Sequence, residues 1–564
     1  MVEGVLISLS FIIAIAAIAT IIARIIKQPA IIAYLVTGII AGPLFFNLMG
    51  GETLSFIQIF AHIGVAFLLF IVGLSLDLRL LREVGFVSVL AGILGMIVTA
   101  GLGYLIAIAL GLGFVAALYL GAVLAFSSTV VVVKILSDKK EIDTLHGRLA
   151  LGILIVQDFV AAIVLMAIPL ITNNSGLNSI FTKLVTVVAF IVAIFLFSAF
   201  ILNKFLDYLA RSQEALFLFG IAWALVLAAV FSFLGFSLEI GALIGGMSLA
   251  SSKYTLDLGG KMKPLRDFFV VLFFVFFGSQ MTGAISGHLI TMAIIFSLFI
   301  FIGKPLVTMI ILRTFGYKKR TNFLAGISLA QISEFSLILT LLGFTLGHLS
   351  QEIMSLAVLI SLITIAISSY SIYYSSWIYN KISGLLQIFE GKREINTNKK
   401  ESYDILLFGY HRMGYKMLKT LKQMKASFAV IDYNPKVVLS LGCQGINSFY
   451  GDASDKEFLS EIGLDKAKIV ISTVPDFDSN LAIKNKLEEF NSKAAFIATA
   501  EQPRTALDLY KEGVDFVLIP HHLGGEYAAH LIEQFNLDKA KYKEKGKKHL
   551  EELEKAKNNS KFVY

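Results

Sequence analysis

The residue best placed to do chemistry is Asp158, preceded by Gln157 near the middle of the apolar run Leu151 to Pro169. A charged side chain at the centre of a bilayer costs about 3 kcal/mol on insertion scales, so it is kept where water or an ion reaches it. A carboxylate there holds either a proton or a cation, and the two compete. Competition combined with alternating access gives exchange. Asp158 therefore reads as a transport site, with K+ or Na+ as the ion it would hold.

The composition permits this reading. With 57% hydrophobic residues, 16% charged residues and 46 Phe in 564 positions, the chain is too apolar for a soluble globular protein. Its mean hydropathy of +0.78 says the same. The single Cys443 excludes an intramolecular disulfide framework and suits a reducing compartment. The net charge of +8 is carried largely at the ends of apolar runs, where it sets topology and does not imply nucleic acid. Met1 to Ala23 opens with Glu3 and lacks a basic leader or a cleavage site, so it reads as a first span.

Thirteen spans are expected, near 4–26, 29–47, 54–77, 83–110, 114–136, 146–172, 178–204, 213–234, 237–252, 264–282, 285–314, 321–345 and 351–380. The loops support this spacing. Arg24 and Lys27, Arg79 and Arg82, Lys134 to Arg148, Lys204 and Arg211, Lys253 to Arg266, Arg313 to Arg320 and Lys381 onward fall in alternate connections. The intervening ones carry no Lys or Arg. The positive-inside rule then puts the N-terminus outside and the C-terminal part in the cytosol, in a cell (plasma or inner) membrane.

The transmembrane part is expected over 1–382, followed by a polar linker at 383–402, a soluble domain at 403–537 and a charged tail at 538–564. The tail reads as a frayed helix or disorder, with lipid-surface binding as the other reading. In the soluble domain, short apolar runs at 404–408, 428–431, 447–450, 469–472, 495–498 and 516–519 alternate with helical patterns, which predicts a parallel doubly wound sheet. Gly409, His411, Arg412, Met413 and Gly414 occupy the turn after the first strand, and Asp432 ends the second. A phosphate at the helix N-terminus and a ribose on the carboxylate fit those positions. His411 replaces the middle glycine, so a nucleotide sits differently there or carries one phosphate, as AMP does. The alternative is that the fold is kept for dimerisation and the pocket is vacant.

Gly451, Asp452 and Ala453 follow the third strand, and with them the block from Asp404 to Glu526 resembles the regulator of potassium conductance (RCK, or TrkA-N) domains. The resemblance implies a nucleotide pocket lined by the glycine-rich turn, Asp432, Asp452 and Ala453, with AMP or NAD(H) as ligand. The membrane half resembles the monovalent cation:proton antiporter family, and within it the Kef-type potassium efflux systems. The matching residues are Gln28-Pro29 through Gly38, Gly42-Pro43, Gly64 to Phe70, Gly73-Leu74, Ser127-Ser128-Thr129, Gln157-Asp158, Gly241-Ala242, Gly245 and Leu329 to Phe335. His62, Ser75 and Ser333 depart from the family pattern.

That resemblance implies inverted repeats whose interrupted helices cross near the midplane, here the fifth span with Ser127, Ser128 and Thr129 and the twelfth with Gln331, Ser333 and Glu334. The Ser-Ser-Thr run could instead mark close helix packing. The resemblance also implies a homodimer and, from Gln157 before Asp158, a potassium-type electroneutral exchange. Lys304, deep in the eleventh span, is either a counter-charge for the empty site or bonded to crossing-helix carbonyls. Glu334 is either in the ion pathway or the partner of a polar group, and Glu239 reads as a span-end residue that snorkels. The whole reads as a potassium/proton antiporter regulated by a nucleotide, and not as an enzyme. A Na+/H+ antiporter on the same fold is the nearest alternative. An RCK-gated potassium channel is disfavoured by the absence of a Thr-Val-Gly-Tyr-Gly filter.

Overall fold

The computed structural model describes all residues except 1, 51, 76–84, 140, 143, 173–188, 211, 235–237, 251, 282–285, 392–401, 411–412, 425, 433–434, 452, 454–455, 491–492 and 560–564. It divides into two compact units, Met1–Gly391 and Lys392–Tyr564.

In the first unit, eight described helices are long and apolar enough to cross a bilayer, and four shorter apolar helices accompany them. The expected spans are not all continuous rods. The second stops at Ala41 instead of 47, because the residue before a proline is driven out of the helical region. Gly42, before Pro43, is extended at φ −76 and ψ −173. The fifth divides into Phe114–Ala125 and Thr129–Asp138, and the twelfth into Lys319–Ser328 and Glu334–Thr345. Much of the seventh, 178–204, lies outside the described residues. The eleventh contains a π turn, Phe299–Gly303, immediately before the helix Lys304–Thr314.

Between lipid-facing helices no hydrophobic force drives association, so close backbone packing has to hold them. The glycines that the sequence places in apolar runs do this. A Cβ on Gly38 would collide with the Val275 carbonyl, and one on Gly246 with the carbonyl of Phe70. The helix Glu52–Ser75 is thereby clamped against Leu238–Leu249, while Ala30–Ala41 meets Thr255–Ser279.

The first unit also runs past the linker's expected start at 383. A 3-10 turn, Leu385–Phe389, folds back with Leu386 buried. Asn322 Nδ2 donates to the carbonyls of Tyr317 at 2.8 Å and Phe389 at 3.0 Å. An apolar segment after a helix end has this buried surface available, which its polar surroundings in the sequence concealed.

The second unit is a six-stranded parallel sheet in the order β3-β2-β1-β4-β5-β6. Its strands are β1 Ile405–Phe408, β2 Phe428–Asp432, β3 Ser448–Tyr450, β4 Ile469–Ser472, β5 Ala495–Thr499 and β6 Phe516–Leu518, each within a residue or so of expectation. The reversal of order lies between β1 and β4, and ligands of such sheets sit outside the carboxyl ends of the strands at that point. The tail is helical over Lys539–Asn559, with Lys548 Nζ 2.7 Å from Glu544 Oε1 one turn away.

Candidate functional site

Two helix breaks meet inside the first unit. Phe126 to Ser128 interrupt the first helix and Leu329 to Ser333 the second, so each break frees N–H groups at one new helix start and carbonyls at one new helix end. The freed groups are satisfied mostly across the crossing. Ser127 Oγ donates to the Leu329 carbonyl at 3.0 Å, Gln331 Nε2 donates to the Ser128 carbonyl at 3.3 Å, and Ser336 Oγ donates to the Val123 carbonyl at 2.6 Å. Ser128 Oγ also accepts from Val131 N at 3.4 Å, capping its own half-helix. Ser333 caps the other, accepting from Phe335 N at 3.2 Å while its N–H donates to Ser336 Oγ.

The carboxylates arrive at the same two helix starts. Thr129 Oγ1 donates to Asp158 Oδ2 at 2.8 Å, and Ser128 Oγ donates to Glu334 Oε2 at 3.0 Å. Glu334 is the first residue of its half-helix and is buried, whereas Asp158 is half-buried on Leu145–Thr172. Gln157 points the other way along the break, its Oε1 accepting from Ser127 N at 3.2 Å. Helix N-termini carry partial positive charge and repel a cation unless anionic side chains stand over them. Here both do, which gives a polar, negatively balanced centre in apolar surroundings.

The two helix ends are handled by Lys304. It is 2% exposed, and its Nζ donates to the carbonyls of Leu124 at 3.1 Å, Phe126 at 2.7 Å and Gln331 at 3.1 Å. Among the described residues its three hydrogen bonds go to crossing-helix carbonyls and none goes to Asp158. One ammonium thus neutralises the negative ends of the same broken helices whose positive ends face Asp158 and Glu334. Gln331, fully buried, accepts from Ser368 Oγ on the helix Gln351–Tyr373.

In the second unit, Gly409 has φ +85, a conformation that favours glycine, and a Cβ there would press on Thr473 Oγ1. A Cβ on Gly414 would collide with the Gly409 carbonyl, so both glycines are needed to close the turn onto the helix Gly414–Gln423. That helix has no acidic residue in its first turn. Asp432 is buried, and its Oδ2 accepts from Tyr410 N at 2.8 Å, tying the turn to the end of β2. Met413 precedes the helix and Ala453 is buried. His411, Arg412 and Asp452 lie outside the described residues. A tight turn, a helix start free of acids and a carboxylate at the neighbouring strand end fit a nucleotide phosphate and ribose.

Several polar contacts escape sequence reading. Glu239 does not simply snorkel: its Oε1 lies 3.3 Å from His62 Nδ1, 177 positions away. Lys139, Glu141 and His146 form a compact cluster between Thr129–Asp138 and Leu145–Thr172, at 2.8 Å and 3.3 Å. Lys139 Nζ also donates to the Ile372 carbonyl and to Ser375 Oγ. Burial alone would raise the Glu141 carboxyl, but the His146 hydrogen bond and the Lys139 ammonium outweigh it and hold it below the usual carboxylate range.

Crossed, unwound helices enclosing carboxylates in a bundle of apolar helices define the architecture of a secondary transporter. The comparisons narrow the class. The sodium/hydrogen exchanger transmembrane family model matches residues 12–373, and the chain belongs to that family. The TrkA-N domain model matches residues 405–520. Among curated relatives, K(+) efflux antiporter 5 of Arabidopsis thaliana is 30% identical over 336 residues, 58% of this chain and 59% of that protein. The chain thus spans less than two thirds of that relative. The glutathione-regulated potassium-efflux system protein KefC of Escherichia coli is 26% identical over 499 residues, 86% of this chain and 78% of that protein. A sodium proton antiporter structure from Methanocaldococcus jannaschii shares the fold at TM-score 0.53 and 16% identity, covering 68% of this chain and all of that one.

Proposed function

We propose that this protein exchanges potassium for protons across a cell membrane at Asp158. The observation that carries the reading is the convergence of two helix starts on two carboxylates, with Thr129 donating to Asp158 and Ser128 to Glu334. In the cycle, Asp158 holds a proton or a partly dehydrated cation, and the freed hydroxyls and carbonyls of the breaks replace lost water. Lys304 keeps the crossing intact in both states. The names of the relatives, which specify potassium efflux, support potassium over sodium. Alternating loop charge supports an outer N-terminus and a cytosolic second unit.

The second unit acts as a regulator that binds a nucleotide, AMP or NAD(H), at Gly409, Met413, Gly414, Asp432 and Ala453, with His411, Arg412 and Asp452 completing the pocket. A ligand can bias the transporter only through different affinities for its active and inactive states. The assembly is a homodimer.

The test is the pH change inside proteoliposomes after adding potassium, sodium or neither. Potassium-driven proton movement in the wild type, absent in Asp158→Asn, is the expected result. Sodium preference would replace potassium with sodium in this reading, and full exchange by Asp158→Asn would remove Asp158 from it.

A further inference from the structure

The ends of both broken helices on the side of the basic connections are held by one stretch of chain that the exchange reading has not used. The half-helix Lys319–Ser328 has Lys318 at its cap and Lys319 and Arg320 in its first turn, with no acid there. Basic side chains oppose the partial positive charge of a helix start, so a carboxylate is favourable beside it. Glu390 brings one from 71 positions away: its Oε2 accepts from Lys319 N at 3.2 Å, and its Oε1 lies 3.2 Å from Lys318 Nζ. Next to it, Gly391 sits so closely that a Cβ would collide with the Tyr317 carbonyl. Asn322, fully buried, fastens the same segment through the Phe389 carbonyl.

The packing continues toward the crossing. Tyr379 of the helix Ser375–Ile382 lies beneath the Arg320 guanidinium at 5.6 Å and beside the Phe323 ring at 5.9 Å. Tyr379 and Leu386 share a buried cluster with Leu324, Ile327 and Ala330, the last of these inside the second break. The other half-helix on this side, Thr129–Asp138, is tied to the same stretch. Lys139, which ends it, donates from Nζ to the Ile372 carbonyl at 3.2 Å and to Ser375 Oγ at 3.1 Å. Residues 372–391 therefore form a strap over both half-helices. From Gly391 the chain passes into the second unit.

We propose that this strap relays the nucleotide state of the second unit to the crossing. A ligand alters transport only by favouring one arrangement of the transporter over another. The strap gives that preference a route: it is continuous with the second unit, and it is bonded to the start of one half-helix and the end of the other. The opposite ends of those half-helices, Ser328 and Thr129, open onto the two breaks, where Thr129 holds Asp158. A displacement of Glu390 is thus passed along two short rigid elements to the ion site, the kind of packed and hydrogen-bonded connection that carries coupling. This rests on the exchange and regulator readings above.

The experiment uses the full chain in proteoliposomes, with AMP, NADH or neither on both faces, and reads potassium-driven proton flux. A saturating nucleotide is expected to change wild-type flux about fivefold, the lower end of ordinary coupling between sites. Glu390→Ala removes the carboxylate, and Gly391→Ala wedges the segment away from Tyr317. Each is expected to bring the nucleotide response to within about 1.5-fold of none, with the potassium KM within about twofold of wild type and calorimetric nucleotide affinity unchanged. A response of wild-type size in either variant overturns the proposal, and so does a response lost together with nucleotide binding or with exchange itself. Should neither variant reconstitute, hydrogen exchange of the wild type decides: amides of residues 319–322 that ignore nucleotide overturn it. A wild type without potassium-driven flux defeats the exchange reading, and one whose flux ignores both nucleotides defeats the regulator reading, each taking the strap with it. A responsive wild type beside equally responsive variants defeats the strap alone.

Discussion

Both units of this protein have carboxylates beside helix starts, and they set them in opposite arrangements. In the membrane unit, two carboxylates meet the start of one half-helix, Asp158 through the hydroxyl of Thr129 and Glu334, itself the first residue of the other half-helix, through that of Ser128. In the soluble unit, the helix that begins at Gly414 has no acid in its first turn, and Asp432 engages the preceding turn at Tyr410 N. The backbone dipole is the same in both places. What decides between cation and anion is where the carboxylates stand relative to it.

The contrast is broken most severely by Lys304→Met, which keeps the shape of the side chain but leaves three buried carbonyls without a donor. Unfolding in detergent should show a loss of about 3 kcal/mol, since each unsatisfied buried acceptor costs about 1–3 kcal/mol. A loss below about 1 kcal/mol would mean that the helix ends find other partners. Next in size, Thr129→Val removes the hydroxyl between one helix start and Asp158. A hydrogen bond to a charged group contributes about 1.5 kcal/mol or more, so exchange should slow about tenfold. Proteoliposome flux measures this, and an unaltered rate would detach the hydroxyl from the site.

The soluble side of the comparison is sharpened by Tyr415→Glu, which puts a carboxylate into the first turn of the helix Gly414–Gln423. Calorimetric titration with AMP or NADH should show about fivefold weaker binding, close to 1 kcal/mol for a charge opposing a helix start. Tighter binding would reverse the sign argument. The smallest effect belongs to Glu141, whose carboxyl is held below its ordinary value of 4.5 by the folded structure. Its stabilisation is therefore present above about pH 4.5 and is lost as pH falls toward the folded value. Glu141→Gln should flatten that part of the stability curve in detergent, and an identical slope in both proteins would place the acid sensitivity elsewhere.

The parts legible in the sequence are those set by composition over neighbouring residues. Long apolar runs gave the membrane helices, and short apolar runs alternating with amphipathic helical patterns gave the six described strands. Asp158 was conspicuous because one carboxylate stood alone in a membrane-length run. The geometry that joins Ser128 to Glu334 spans 206 positions, and that joining Lys304 to Phe126 spans 178. No periodicity links such residues, so Lys304 could be read either as a counter-charge or as a carbonyl ligand until the crossing was built. His62 and Glu239 were obscure for the same reason, each looking incidental on its own helix. The second span was overestimated because hydropathy continues through Phe45 and Phe46, although Pro43 had already ended the helix.

The π turn at Phe299–Gly303 makes this region sensitive to residue number more than to residue type. A π turn accommodates one residue more than an α turn of similar advance, and each helical residue rotates the side-chain direction by about 100°. Gly303 lies against the ring of Phe299, where a Cβ would come within 2.6 Å of Cδ2. Loss of one residue from Phe299 to Ile302 would leave the segment as apolar as before and let the wide turn tighten into an α turn with Lys304 in place, whereas loss of a second, with no extra residue left to absorb it, would swing Lys304 about a quarter-turn away from the carbonyls it holds. Along this stretch the chain keeps count, and a second deletion, as invisible to hydropathy as the first, would undo the crossing from 180 residues away.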